Sequence, residues 1–269
     1  MTRHAYEAIA DALREEIDDG VWPAGTTLPT IPRLMERFGV SRITVRGAID
    51  QLSDENRVRT GYVDGRRGVI VRSRVRTPIW ATDGIRNDRP KDGTGDVFVE
   101  MSERAGHSPS KRFTMKIAAP PLSISRRLGT DPDELVVTRT VYQLIDGEPW
   151  SSETTFFPRQ FAEECEVDTP NDIPEGTTRR IAEKGYRETS WLDEVLDENA
   201  GPDDAEHLSV PVGHGLQVRL RTGASGDRIT RVTRYVYMVG RTQLLWELGD
   251  WSGDAGDVLR ASAQRVMKA

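Results

Sequence analysis

The most constraining feature of this sequence is a corner. Within "TIPRLMERFGVSRITVRGAIDQL", residues 30–52, two short helical patterns follow each other with only a few residues between them. Thr30 is placed to cap the first, Pro32 is tolerated in its first turn, and Gly39 ends it. Ser41 is the natural N-cap of the second. At about 100° per residue, Val45, Ala48, Ile49 and Leu52 form one apolar stripe on that second helix. Arg42, Ile43, Arg46, Gly47 and Asp50 point the other way. Two of these are odd for a merely solvated face. Ile43 is an apolar residue with no core to join. Gly47 costs about 1 kcal/mol relative to alanine in a helix interior but admits a close approach, which we expect to be DNA. A helix start bearing Ser, Thr and Arg beside an apolar contact suits a major groove. Taken alone, the helix also fits a solvated amphipathic face.

The flanking sequence narrows the choice. Tyr6, Ile9, Ala10, Leu13 and Ile17 fall at helical spacing before Gly20, so a first helix is predicted from His4 to Asp19. After the corner, "RVRTGYVDGRRGVIVRSRVR" reads as strand, tight turn and strand, with Val58, Val63, Val69 and Val71 supplying β-branched content and Arg66 and Arg67 at the turn. Three helices and a hairpin with a basic tip make a winged helix-turn-helix. Charge supports this. The chain carries a net −6, but residues 30–76 hold 11 Arg, no Lys and 5 acids, against 2 Arg and 6 acids in residues 1–29. A block made of arginine alone suits bidentate recognition of phosphate and guanine.

With 269 residues there is length for more than this domain. The boundaries predicted are 1–75 for the DNA-binding domain, 76–95 for a linker and 96–269 for a second, α+β domain. The linker reading rests on "RTPIWATDGIRNDRPKDGTGD", rich in Gly, Pro, Asp and Arg, with Trp80 expected to dock on a domain. Beyond it, "VFVEMSERAG", "SISRRLG", "GTTRRIAEKGY" and "PDDAEHLSV" read as short helices, and "KRFTMKIAAPP", "TSWLDEVLDENA" and "QLLWELGDW" as strands. Two hairpins are predicted, one turning at Asp146-Gly147 and one within "HGLQVRLRTGASGDRITRVTRYVYM". "GDVLRASAQRVMK" is predicted to be a C-terminal helix.

Other chemistries find little support. No run reaches the ~18 apolar residues of a membrane span, and the N-terminus has no signal-peptide core. The single cysteine, Cys165, rules out an intramolecular disulfide framework and makes a cytoplasmic location the expectation. Its plain reading is an ordinary thiol. His4, His107, His207 and His214 lack metal-ligand spacing, so no metal site and no cofactor are expected. No phosphate-binding loop, nucleophile elbow or zinc-protease pair occurs.

The run "YEAIADALREEIDDG…PAGTTLPTIPRLMERFGVSRITVRGAIDQL" closely resembles the winged-helix domain of the GntR family of bacterial transcription regulators, over about residues 4–72. The Ser41-Arg42-x-Thr44-x-Arg46 pattern of that family is intact. The resemblance implies DNA contacts from Thr30, Arg33, Ser41, Arg42, Ile43, Thr44 and Arg46, and from the wing residues Gly65, Arg66 and Arg67. Two departures are visible. Pro32 stands where the family usually has an Arg, with Arg33 following it, and the wing reads Gly65-Arg66-Arg67-Gly68-Val69-Ile70-Val71 in place of Gly-x-Gly-Thr/Ser-Phe-Val.

"MSERAGHSPS", "VVTRTVYQLIDGEPWSSETTFFP" and "DDAEHLSVPVGHGLQVRLRT" resemble the UbiC transcription regulator-associated (UTRA) domain of the HutC branch, over about residues 96–250. That resemblance implies a chorismate-lyase-like fold with an antiparallel sheet, and effector contacts from Arg139, Tyr142, Glu153, Thr230 and Tyr235. Val141 replaces a second Arg often found there, and Thr230 falls where many members place an acid. A cross-strand ion pair between Arg139 and Glu153 is the plain structural alternative. The implied function is a non-enzymatic repressor that binds a palindromic operator as a homodimer and responds to an anionic or sugar-like small molecule. Two alternatives stay open: a repressor of plasmid transfer or maintenance whose second domain mainly dimerises, and, more remotely, a chorismate-lyase-like enzyme.

Overall fold

The computed structural model describes residues 4–63, 66–72, 77–82, 97–104, 106–173, 175–247 and 258. They fall into two compact units, one within Met1–Arg76 and Asn199–His214, the other within Thr77–Glu198 and Gly215–Ala269.

The first unit is built on α1 (Ala5–Asp18), α2 (Ile31–Phe38) and α3 (Arg42–Asp54). The Glu7 side chain accepts from the His4 backbone N–H at 3.1 Å, closing the start of α1. Gly39 adopts φ 64°, the left-handed conformation that ends α2 without steric cost. Only Gly39, Val40 and Ser41 then separate α2 from α3, so the corner forms as the sequence implies. Ile9, Ala10, Leu13 and Ile17 of α1 meet Leu34 of α2 and Val45, Ala48, Ile49 and Leu52 of α3 in one core. The hairpin pairs β1 (Val58–Val63) with β2 (Arg66–Val71) in antiparallel register, Val58 opposite Val71 and Val63 opposite Arg66. Thr27 bridges to Ile70 on the other side of β2.

A segment from much later in the chain completes this unit. Between two strands of the second unit, the chain runs through α8 (Pro202–Leu208), and its ends are tied by the Ala200 N–H to His214 carbonyl bond at 2.8 Å. Arg72, buried just after β2, donates from Nη2 to the carbonyls of Leu208, at 3.2 Å, and Ser209. These carbonyls close the C-terminus of α8, the end of a helix that favours a cation.

The second unit is organised by a six-stranded sheet. In chain order its strands are β4 (Pro109–Ala118), β5 (Val136–Ile145), β6 (Glu148–Pro158), β7 (Ser190–Asn199), β8 (Gly215–Ser225) and β9 (Arg228–Met238); across the sheet they run β4-β5-β6-β9-β8-β7. Asp146 and Gly147, both at positive φ, make the tight β5–β6 turn that the sequence signals. Short helices α4 (Val97–Arg104), α5 (Leu122–Leu128), α6 (Arg159–Glu164) and α7 (Thr177–Glu183) accompany the sheet. Val137, Phe157, Phe161, Ala162, Val167, Ile173 and Ile181 form an apolar core around Cys165, whose thiol pKa burial pushes up to about 11. That thiol is buried among apolar side chains, where its thiolate is disfavoured.

The stretch read as linker contains a strand: β3 (Thr77–Trp80) pairs in parallel with β10 (Thr242–Leu245), Thr77 opposite Thr242. Four residues are too few to show an alternation, and the partner lies at the other end of the domain. Helix α6 was not expected, because only Phe161 and Ala162 of its six residues are buried. The expected C-terminal helix and the Trp80 side chain lie outside what is described. Among the described residues, no helix is long and apolar enough to cross a membrane.

Candidate nucleic-acid interface and effector face

Helix α3 presents the surface that its sequence predicts. Val45, Ala48, Ile49 and Leu52 are buried, while Arg42 and Arg46 are exposed and Ile43 is 83% exposed. The Ser41 hydroxyl accepts from the Thr44 backbone N–H at 3.3 Å and lies 2.9 Å from Thr44 Oγ1, so both hydroxyls belong to the helix cap. Gly47 departs from expectation. A Cβ there would lie 3.4 Å from the Cβ and Cγ of Tyr6, so its missing side chain admits α1 and not DNA.

Beside α3 lies a cleft of ≈ 1080 Å³, lined by the start of α2 (Thr30, Ile31, Pro32), by Arg42, Arg46 and Asp50 of α3, and by Thr60, Arg67 and Gly68 of the wing. Three arginines face one acid among these described residues. The separation of charge behind this is physical. Arg14 is held by Asp11 and Glu55, Arg37 by Glu16, and Arg57 by Asp18 at 2.7 Å. Asp11, Glu16 and Asp18 of α1 therefore pair with arginines that do not line the cleft. Thr30 caps α2 by its backbone alone, with no side-chain cap bond. Arg33 is exposed on α2 but does not line the cleft. Arg66 opens β2, though its side chain, like Gly65, lies outside the described residues; Arg67 pairs with the exposed Tyr62.

In the second unit the register gathers polar residues onto one face. Phe113, Val141, Glu153, Tyr235 and Arg219 lie opposite one another in a row across β4, β5, β6, β9 and β8. The next row places Arg139, Thr155, Thr233 and Arg221 side by side. Of the predicted effector residues, Arg139, Glu153 and Tyr235 thus share a face. Tyr142, one residue beyond Val141, points to the opposite face, where the Arg112 guanidinium lies 4.9 Å from its ring centroid. Thr230 is fully buried; its hydroxyl donates to Glu188 and sits 3.0 Å from the Gly223 carbonyl.

The structural alternative of an Arg139–Glu153 cross-strand pair does not match the register. Arg139 faces Thr155, not Glu153. Its guanidinium donates to the carbonyls of Val167 (3.0 Å), Thr169 (2.6 Å) and Asn171 (2.8 Å), and stacks 4.4 Å from the Phe113 centroid. Burial pulls its pKa below the usual arginine value. Sequence reasoning also missed two buried ion pairs. Glu188 binds Arg231 at 2.7 Å, and Arg231 reaches the hydroxyls of Thr177 and Thr178 at the start of α7. Burial opposes the charge on Glu188, yet Arg231 and Thr230 hold its pKa below the ordinary carboxylate value. Asp193 takes both ends of Arg221 at 2.6 Å and accepts from Trp246 Nε1 at 2.9 Å; these bonds likewise outweigh burial and lower its pKa. The alternating Arg219/Arg221 and Tyr235/Tyr237 were the available signal.

The family of bacterial regulatory proteins called gntR matches residues 5–71, and the UTRA domain matches residues 104–242. The chain belongs to the GntR family, with a UTRA domain. A regulator of the helix-turn-helix type from Rhizobium meliloti (strain 1021), itself uncharacterized, is 32% identical over 159 residues, 58% of each chain. MngR of Escherichia coli (strain K12), the mannosyl-D-glycerate transport/metabolism system repressor, is 34% identical over 97 residues, 35% of this chain and 40% of its own. The chain thus spans about half the length of these relatives. The crystal structure of PhnF from Mycobacterium smegmatis superposes with a TM-score of 0.51 at 20% identity, covering 88% of this chain and 98% of that one, a likeness of fold.

Within this GntR regulator, the family's Ser41-Arg42-x-Thr44-x-Arg46 pattern lies at the N-terminal end of α3, where Arg42 and Arg46 line the cleft. The position that Pro32 takes from the usual Arg also lines it, whereas Arg33 does not.

Proposed function

We propose that this GntR–UTRA chain is a repressor that grips a palindromic operator as a homodimer and releases it in response to a small anionic or sugar-like effector. The observation that carries the DNA half is the cleft of α2, α3 and wing, where Arg42, Arg46 and Arg67 face one acid. Arg42 and Arg46 contact bases or adjacent phosphates, Ile43 a thymine methyl, and Ser41, Thr44 and Thr30 the backbone. Arg33 and the wing residues Gly65, Arg66 and Arg67 hold flanking phosphate. The effector half is supported by the face that brings Glu153 and Tyr235 together, and by a relative named for a hydroxylated acid, mannosyl-D-glycerate. Effector binding there changes operator affinity by about 1–3 kcal/mol, the usual size of such coupling.

Footprinting the full chain on DNA upstream of its own gene tests this reading. The expected result is a protected palindrome whose half-sites lie about one helical turn apart. A protected tract with no two-fold symmetry would contradict the dimer. One observation favours a second reading, in which the UTRA domain mainly dimerises: Arg139 is already engaged by three carbonyls. Operator binding that no metabolite alters would support that version.

A further inference from the structure

Among the described residues of the second unit, Arg219 carries a buried charge with little to match it. It is 3% exposed, yet its Nε and Nη1 atoms are buried without a hydrogen-bond partner. The nearest carboxylate oxygen, Asp193 Oδ2, lies 3.9 Å away and already serves Arg221 and Trp246. The guanidinium carbon lies 4.1 Å from the Tyr235 ring centroid. A buried cation without a matched acceptor is costly, so a fold that merely needed packing here is better served by an apolar side chain. Every other buried arginine described above has at least one close oxygen.

The position of Arg219 adds meaning. It ends the row Phe113–Val141–Glu153–Tyr235–Arg219, on the face that also holds Glu153 and Tyr235. We propose that Arg219 is the anion anchor of the effector site, two strands from Glu153, and that the effector is a hydroxy- or amino-carboxylate. This rests on the effector reading above. The Nε and Nη1 of its guanidinium, both without a hydrogen-bond partner, are donors that a carboxylate can satisfy. Glu153 lies two strands along, about 10 Å at ordinary strand spacing, which places an acceptor for hydroxyl or ammonium groups at the far end of the ligand. The same carboxylate repels a phosphate dianion.

The test uses the full chain as wild type, Arg219→Met and Arg219→Lys, each followed by thermal unfolding. Without additive, Arg219→Met unfolds at or above the wild-type midpoint, because an unmatched buried charge is removed. A midpoint lowered by several degrees would make Arg219 structural and overturn the proposal. Glycerate, gluconate and glucuronate are then titrated, with glucose, glucose 6-phosphate and inorganic phosphate beside them. At least one carboxylate is expected to raise the wild-type midpoint by about 2 °C or more. Arg219→Met weakens that ligand about ten- to a hundredfold, and Arg219→Lys less. No response to any carboxylate, or an equal response in Arg219→Met, overturns the proposal. A response confined to phosphates or glucose also overturns it, while leaving an effector-binding domain in place.

Discussion

Arginine does opposite work in the two units. In the first, Arg42, Arg46 and Arg67 of the cleft are exposed, and Asp11, Glu16 and Asp18 of α1 are occupied by Arg14, Arg37 and Arg57. In the second, Arg139, Arg221 and Arg231 are removed from water and tied to carbonyls, Asp193 and Glu188. The contrast teaches that the charge count of a segment says little until its partners are known. The net charge of the chain is negative, yet the surface presented by α3 and the wing is basic because its counter-charges are spent elsewhere.

The sharpest way to break this contrast is to remove a buried partner. Glu188→Gln is expected to cost about 3–5 kcal/mol of unfolding free energy, read by chemical denaturation, because it strands the Arg231 charge. A loss below ~1 kcal/mol would mean that the pair is solvated. The same pair sets a pH dependence. With its pKa lowered in the folded state, Glu188 contributes stability that is fully present above the ordinary carboxylate pKa of about 4.3 and is lost as pH falls through its folded value. Wild type should therefore lose stability below about pH 4, and Glu188→Gln should lose less there.

Next in size is Arg139→Met. Three carbonyls lose their donor, and about 2–3 kcal/mol should follow. A variant as stable as wild type would return Arg139 to a purely ligand-facing role. Ser41→Ala removes the cap of α3 and should cost about 1 kcal/mol, seen as a lower midpoint for the first unit. The smallest effect is expected at Gly47→Ala. Its new methyl meets Tyr6 at 3.4 Å, a tight but tolerable contact that offsets a helix-propensity gain of at most about 1 kcal/mol. Operator affinity should not change, and a tenfold loss would put DNA at Gly47 after all.

What was legible in the sequence follows the range of the interactions involved. The corner at Gly39 and Ser41, the stripe Val45–Leu52 and the Asp146-Gly147 turn are set within a few residues, and each formed as read. Strand β3 was not legible because Thr77–Trp80 pairs with Thr242–Leu245, far along the chain. Gly47 was misread for the same reason: what it admits is Tyr6, a tertiary neighbour. On α3, the exposure of Arg42 and Arg46 was legible because a helix wheel reports their direction. In the second unit, Arg219 and Arg221 are two apart and so share a face, but nothing local to them names Asp193, the partner of Arg221.

The central claim is that the exposed arginines of α3 and the wing, left uncompensated by α1, grip DNA. Operator affinity of wild type and Arg46→Ala, measured across a salt series, tests it most directly. We expect a steep fall of affinity with salt for wild type, and for Arg46→Ala a loss of about 1–3 kcal/mol where it reads a base, or a slope smaller by about 1 where it holds a phosphate. Affinity independent of salt, or an Arg46→Ala variant indistinguishable from wild type, would contradict the account.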